Sequence, residues 1–118
     1  SYKNIDNDNL IPFKAYFNYV EGLNIGSKVV LSGVKIGEIK DIEIDNNQVL
    51  VSGSIISSYD IPEDSIAVIR SNGIFGKKSL LIEPGFGDAM EKEIYIFTNF
   101  KDSYSVDMFM RYLNNINE

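Results

Sequence analysis

From Leu10 to Phe100 the chain runs in short apolar stretches, each stopped within a few residues by Gly, Pro, Asn or Asp. That punctuation marks many short strands in an all-β barrel or sandwich. Phe13, Ala15 and Phe17 alternate with Lys14 and Tyr16, the period of two that a half-buried strand needs. Val29 and Leu31 follow a turn at Asn24 to Ser27. "GEIKDIEID" and "QVLVSGSII" flank Asp45-Asn46-Asn47, which reads as a tight hairpin because Asn and Asp tolerate positive φ. "SIAVIR", "SLLIEP" and "IYIF" bring the strand count to about seven. Ile66, Ala67, Val68 and Ile69 form an unbroken apolar run, so this strand is expected to be covered on both faces.

Both ends of the chain differ from this middle. Residues 1–9 are rich in Asn and Asp and read as a linker. Residues 101–118 change period: Val106, Phe109, Met110, Leu113 and Ile116 recur as one stripe of an amphipathic helix. Ser105 stands where it can cap that helix, and Asp107 lies near the positive end of its dipole. By pattern alone, such a stripe packs as readily on its own barrel as on anything else.

Length and composition narrow the function. A chain of 118 residues suits one domain, here residues 10–100 with a short appended helix. A formal net charge of −6 argues against a nucleic-acid partner, whose phosphates call for Lys and Arg clusters. With neither Cys nor His, thiol chemistry, Cys/His zinc sites and imidazole catalysis are excluded. No apolar run reaches the roughly 18 residues of a membrane span.

The densest candidate chemistry is "RSNGIFGKKSLL", residues 70–81. Its glycines and lysines suggest a phosphate loop, but a Walker loop needs a Gly five residues before the Gly-Lys pair and a Ser or Thr after it. Here those positions are Ser71 and Lys78, and a strand pattern rather than a helix follows. Acids spaced by two, such as Asp41 and Glu43, share a strand face, yet no nucleophile, imidazole or metal cluster singles them out. What remains is the loop tip itself. Gly73 and Gly76 permit a sharp excursion that carries Ile74 and Phe75, two large apolar side chains that either fold back onto the barrel or meet copies of themselves.

Two blocks carry a family resemblance. The first is "GLNIGSKVVLSGVKIGEI", through Gly22-Leu23, Gly26-Ser27, Val29, Leu31, Gly33-Val34, Gly37 and Ile39. The second is "IPEDSIAVIRSNGIFGKKSLLIEPG", through Ile61-Pro62, Asp64-Ser65, Ala67, Ile69, Ser71, Gly73, Gly76, Lys78, Ile82 and Pro84-Gly85. From Phe13 to Gly85 the chain resembles the MCE (mammalian cell entry) domain of the MlaD type. It departs in three places: Ile74-Phe75 replaces Leu-Leu, Ser79 stands where an aromatic is frequent, and Glu93 where a Gly often shapes the turn.

The resemblance implies a seven-stranded β-barrel that assembles as a homohexamer around a central pore. It implies no enzyme activity and no cofactor or metal. It also implies a single N-terminal anchor in the bacterial inner membrane, ahead of the linker 1–9, with the domain in the periplasm. The function implied is the phospholipid-binding conduit of an ABC transport complex, working with a permease, an ATPase and a soluble periplasmic lipid carrier. By position, Ile74 and Phe75 would line the pore, hinged at Gly73 and Gly76. The stripe Val106, Phe109, Met110, Leu113 and Ile116 would extend the tunnel.

The chemistry is consistent. Each methylene brought into water costs about 0.8 kcal/mol, so an acyl tail of about 16 carbons faces a barrier on the order of 10 kcal/mol. An apolar passage removes most of it with no bond chemistry. Two other readings stay open: a cell-surface adhesin that uses the apolar loop for docking, and a carbohydrate-acting enzyme, which would need two acids converging at about 5–10 Å.

Overall fold

In the computed structural model the described residues are 9–72 and 77–98. They form seven strands: β1 (Leu10–Phe17), β2 (Lys28–Leu31), β3 (Val34–Asp45), β4 (Gln48–Ile56), β5 (Ile66–Asn72), β6 (Lys77–Glu83) and β7 (Tyr95–Phe97). All seven join in a single sheet, ordered β5-β6-β2-β3-β4-β1-β7, which curls into a half-barrel. The all-β, seven-stranded expectation is met. The linker 1–8, the segment 73–76 and the predicted C-terminal helix lie outside the described residues.

Two-residue turns set the register of both neighbouring hairpins. Leu31 pairs with Val34 across Ser32 and Gly33, at φ 51 and 83. Asp45 pairs with Gln48 across Asn46 and Asn47, at φ 51 and 68. Positive φ at both central positions matches the right-handed twist of the flanking strands. The Asn-Asn turn is therefore where the sequence placed it.

Curvature comes from β3. Its pairing slips once against β2, leaving Ile36 as an extra residue, and once against β4, leaving Lys40 extra. Such bulges bend a strand and increase its twist. They also re-phase its side chains, so that Ile36, Ile39 and Ile42 all join the core despite a spacing of three. At the corner, β4 passes close under β1. A Cβ at Gly53 would strike the Glu38 carbonyl and sit 2.8 Å from the Phe13 ring, so only Gly fits there.

The concave face holds one apolar cluster, from Ile11, Phe13 and Ala15 on β1 to Ala67 on β5 and Leu80 and Ile82 on β6. Phe13 meets Phe97 edge-on, with centroids 6.2 Å apart and planes at 71°. That geometry brings one ring's positive edge to the other's negative face. β7 lies parallel to β1, with Phe13 opposite Tyr95. The Tyr95 hydroxyl donates to the Tyr59 carbonyl at 3.4 Å, and burial pushes its pKa above the ordinary value.

Both faces of β5 are covered as the apolar run predicted. Ala67 belongs to the core and Ile69 packs against it, while Val68 is 7% exposed on the opposite face. Val68 pairs with Leu81, and the Arg70–Glu83 ion pair at 3.8 Å reaches diagonally over that pair.

Candidate functional site

The two ends of the β5–β6 hairpin are built from different chemistry. β5 and β6 run antiparallel from Ile66 opposite Glu83 to Asn72 opposite Lys77. Residues 73–76 connect them at the second end, so the Gly-Ile-Phe-Gly sequence closes a paired hairpin at the edge of the sheet. The side chains of Ile74 and Phe75 lie outside the described residues, as do Gly73, Gly76 and the stripe Val106, Phe109, Met110, Leu113 and Ile116.

Beside that end, β6 runs parallel to β2, with Val29 opposite Leu80. Parallel strands begin at the same side. Lys28 at the start of β2 and Lys77 and Lys78 at the start of β6 are thus brought together from distant parts of the chain. The turn before β2 completes the arrangement. Ser27 N donates to the Asn24 carbonyl at 3.0 Å, Asn24 N donates to Ser27 Oγ at 2.9 Å, and Gly26 takes φ 93, the sign that a type II turn demands at its third position. Gly26 N and Ile39 N tie this turn to β3 at 2.8 and 2.9 Å.

A cleft of about 520 Å3 lies between the turn and β6, lined by Gly22, Asn24, Gly26, Ser27, Lys28, Lys77, Lys78 and Ser79. The Lys78 stem crosses the backbone at Gly22, where a Cβ would meet Lys78 Cδ at 3.3 Å and where φ is 78. Gly22 thus both makes the turn and seats the lysine. Ser79 is 3% exposed and forms part of the wall.

The opposite end of the hairpin is acidic and closed. The Asp64 carboxylate accepts hydrogen bonds from Phe86 N at 3.0 Å and Gly87 N at 2.8 Å. These amides favour the charged form and hold its pKa below the ordinary value. Ser65 Oγ accepts from Gly85 N at 3.2 Å, and Glu63 N and Met90 N tie down the rest of the β6–β7 connection. Phe86 stands fully exposed on this fastened loop. Lys92 bridges to Asp60 at 2.8 Å and donates to the Ser57 carbonyl at 2.7 Å, and the pair with Asp60 raises its pKa.

Asp41 and Glu43 stay exposed on β3, and among the described residues no three metal-ligating side chains cluster. Among those residues, too, no helix is long and apolar enough to cross a membrane. Sequence reasoning missed the lysine cleft and Phe86. The Phe had a readable signal, since "GFG" at 85–87 repeats the Gly-flanked apolar design of the 73–76 loop.

Comparison with known proteins agrees with the fold. The family model described as "MlaD protein" matches residues 10–85. The intermembrane phospholipid transport system binding protein MlaD of Haemophilus influenzae is 32% identical over 77 residues, covering 63% of this chain and 46% of that protein. Its counterpart from Escherichia coli K12 is 35% identical over 77 residues, covering 63% of this chain and 42% of that one. The chain therefore spans less than half the length of these curated relatives. Among solved structures, a chain of the Acinetobacter MlaFEDB complex in an ATP-bound conformation superposes with a TM-score of 0.67 at 19% identity, covering 87% of this chain and 82% of that one. At that identity the likeness speaks for the fold.

Proposed function

The chain belongs to the MlaD family, and on that premise we propose that it is the phospholipid-binding conduit of an ABC transport complex between the two bacterial membranes. The H. influenzae and E. coli relatives are named as binding proteins of an intermembrane phospholipid transport system, which supports the substrate class. In this reading the domain sits in the periplasm on an inner-membrane anchor. It forms a homohexamer, receives its driving force from a permease and an ATPase, and exchanges lipid with a soluble carrier. It binds and guides, with no catalytic step of its own.

The observation that carries the reading is the sequence Gly73-Ile74-Phe75-Gly76 at the closed end of the β5–β6 hairpin. A hairpin end in water is ordinarily polar. Six copies of Ile74 and Phe75 facing one axis would give acyl chains a dry passage, removing most of the roughly 0.8 kcal/mol per methylene that water imposes. The stripe Val106, Phe109, Met110, Leu113 and Ile116 would lengthen that passage.

Native mass spectrometry tests it. The expected result is a six-subunit mass carrying phospholipid, and a variant with Ile74→Asn and Phe75→Asn that keeps the six-subunit mass and loses the lipid. Lipid retained unchanged by the double variant would remove these two side chains from the passage. A lipid-free monomer would favour the docking-loop reading instead.

A further inference from the structure

We propose that the cleft between the Gly22–Ser27 turn and the start of β6 binds a phosphate group, held by Lys28, Lys77 and Lys78. Three independent features point there. First, the cleft is large enough, at about 520 Å3, for a phosphate ester headgroup. Second, its cations are uncompensated. Lys28, Lys77 and Lys78 make no ion pair or hydrogen bond among the described residues, and neither does Lys14 on β1, whereas Lys35, Lys40, Arg70 and Lys92 each pair with an acid; only the first three line one cleft. Glu38 faces Lys28 across the β2–β3 ladder but is engaged by Lys35 at 3.3 Å and Lys40 at 3.9 Å.

Third, this happens in a chain with 17 acids against 11 basic residues. Chance would surround an average lysine with carboxylates here. Like charges gathered without them repel one another, and an anion between them relieves the repulsion. The Lys78 stem is also seated against Gly22, and the Ser27 hydroxyl supplies a neutral donor at the same wall. Lysines lining one cleft suit phosphate, and lysine is a common phosphate binder as a point charge.

The site is not a Walker loop: the ammonium groups come from two parallel strands, not from a glycine-rich turn before a helix. The phosphate could belong to a phospholipid headgroup or to free phosphate. The lipid source rests on the conduit reading. In that case Lys77, which follows Gly76 directly, puts the headgroup contact next in sequence to the apolar pair that would take the tails.

The test is an amide-resolved NMR titration of the chain with two probes, inorganic phosphate and monomeric dihexanoylphosphatidylglycerol, at low salt. Saturable shifts confined to residues 22–28 and 77–79 with either probe support the site. Binding should weaken at least tenfold in the variant Lys77→Gln with Lys78→Gln, recover in Lys78→Arg, and fall in 1 M salt, where the Debye length shrinks to about 3 Å. If the lipid binds at least tenfold more tightly than inorganic phosphate, the source is a headgroup; equal affinities assign the site to free phosphate. Absence of shifts with both probes overturns the proposal, as do shifts that the lysine variants leave unchanged. Shifts that follow protein concentration rather than phosphate also overturn it, because the lysines then face the carboxylates of a second copy. An unaltered chain that binds no phosphate yet retains lipid in native mass spectrometry would sink the site and leave the conduit standing. Phosphate binding that survives Ile74→Asn and Phe75→Asn while lipid is lost supports the site on its own.

Discussion

The two ends of the β5–β6 hairpin use charge in opposite ways. At the Ile66–Glu83 end three acids are satisfied within the chain. Asp64 takes two amides of the β6–β7 loop, Glu83 takes Arg70, and Asp60 takes Lys92. At the Asn72–Lys77 end, Lys77 and Lys78 join Lys28 around a cleft and find no partner among the described residues. The first end is finished by folding. The second keeps cations that no described residue pairs, and in sequence it adjoins the Gly-flanked Ile-Phe pair. The difference separates residues that hold the fold from residues that face a ligand.

The largest test asks whether the ends depend on a shared core. Phe13→Ala removes a fully buried ring that packs on Phe97 and lies over Gly53. It should cost about 3–5 kcal/mol in chemical denaturation, as Phe truncations in cores do. The loop around Phe86 and the turn around Ser27 should lose amide protection together. Loss at one end alone would mean that the half-barrel is not a single cooperative unit.

The acidic end should yield to a smaller change that leaves the lysine end untouched. Asp64→Ala strips the acceptor from Phe86 N and Gly87 N, so those amides should exchange faster while the β5–β6 ladder keeps its protection. The sign of the pH effect follows from the lowered pKa of Asp64. Its ionised form is favoured in the folded chain, so its stabilisation is complete above the ordinary value of 3.8 and disappears as pH falls through the lower folded pKa. A carboxyl titration should give a midpoint below 3.8, and the Phe86 and Gly87 amide shifts should follow it. A midpoint at or above 3.8 would mean that these hydrogen bonds do not persist in solution.

How much of this was legible depended on range. The β1 alternation and the Asn46-Asn47 turn could be read because a strand face and a two-residue turn are local. β3 was harder. Ile36, Ile39 and Ile42 repeat every three residues, which fits neither a straight strand nor a helix, and only the bulges at Ile36 and Lys40 reconcile them with one face. The lysine cleft was not legible at all. It needs β2 and β6 side by side and parallel, a pairing across some 50 residues that no local pattern announces. The lysines of "GKKS" do not make a phosphate loop, because the geometry that brings them beside Lys28 lies between strands. Asp64 was visible as part of a motif, but its role depends on amides more than 20 residues away.

The smallest effect is the most discriminating, because Lys35 and Lys28 differ mainly in what Glu38 does with them. Lys35 pairs with Glu38 at 3.3 Å, both side chains about half exposed, and such surface pairs are worth about 0–1 kcal/mol. Lys35→Ala should therefore lower stability by about 0.5 kcal/mol or less and leave phosphate binding unchanged. Lys28→Ala removes a cation that forms no ion pair among the described residues, so stability should hold or rise slightly while phosphate affinity falls. If both variants affected phosphate equally, general surface charge would be acting and the contrast between the two ends would lose its meaning. If Lys28→Ala alone reduces binding, the charge that no described residue pairs is the charge that recognises the ligand.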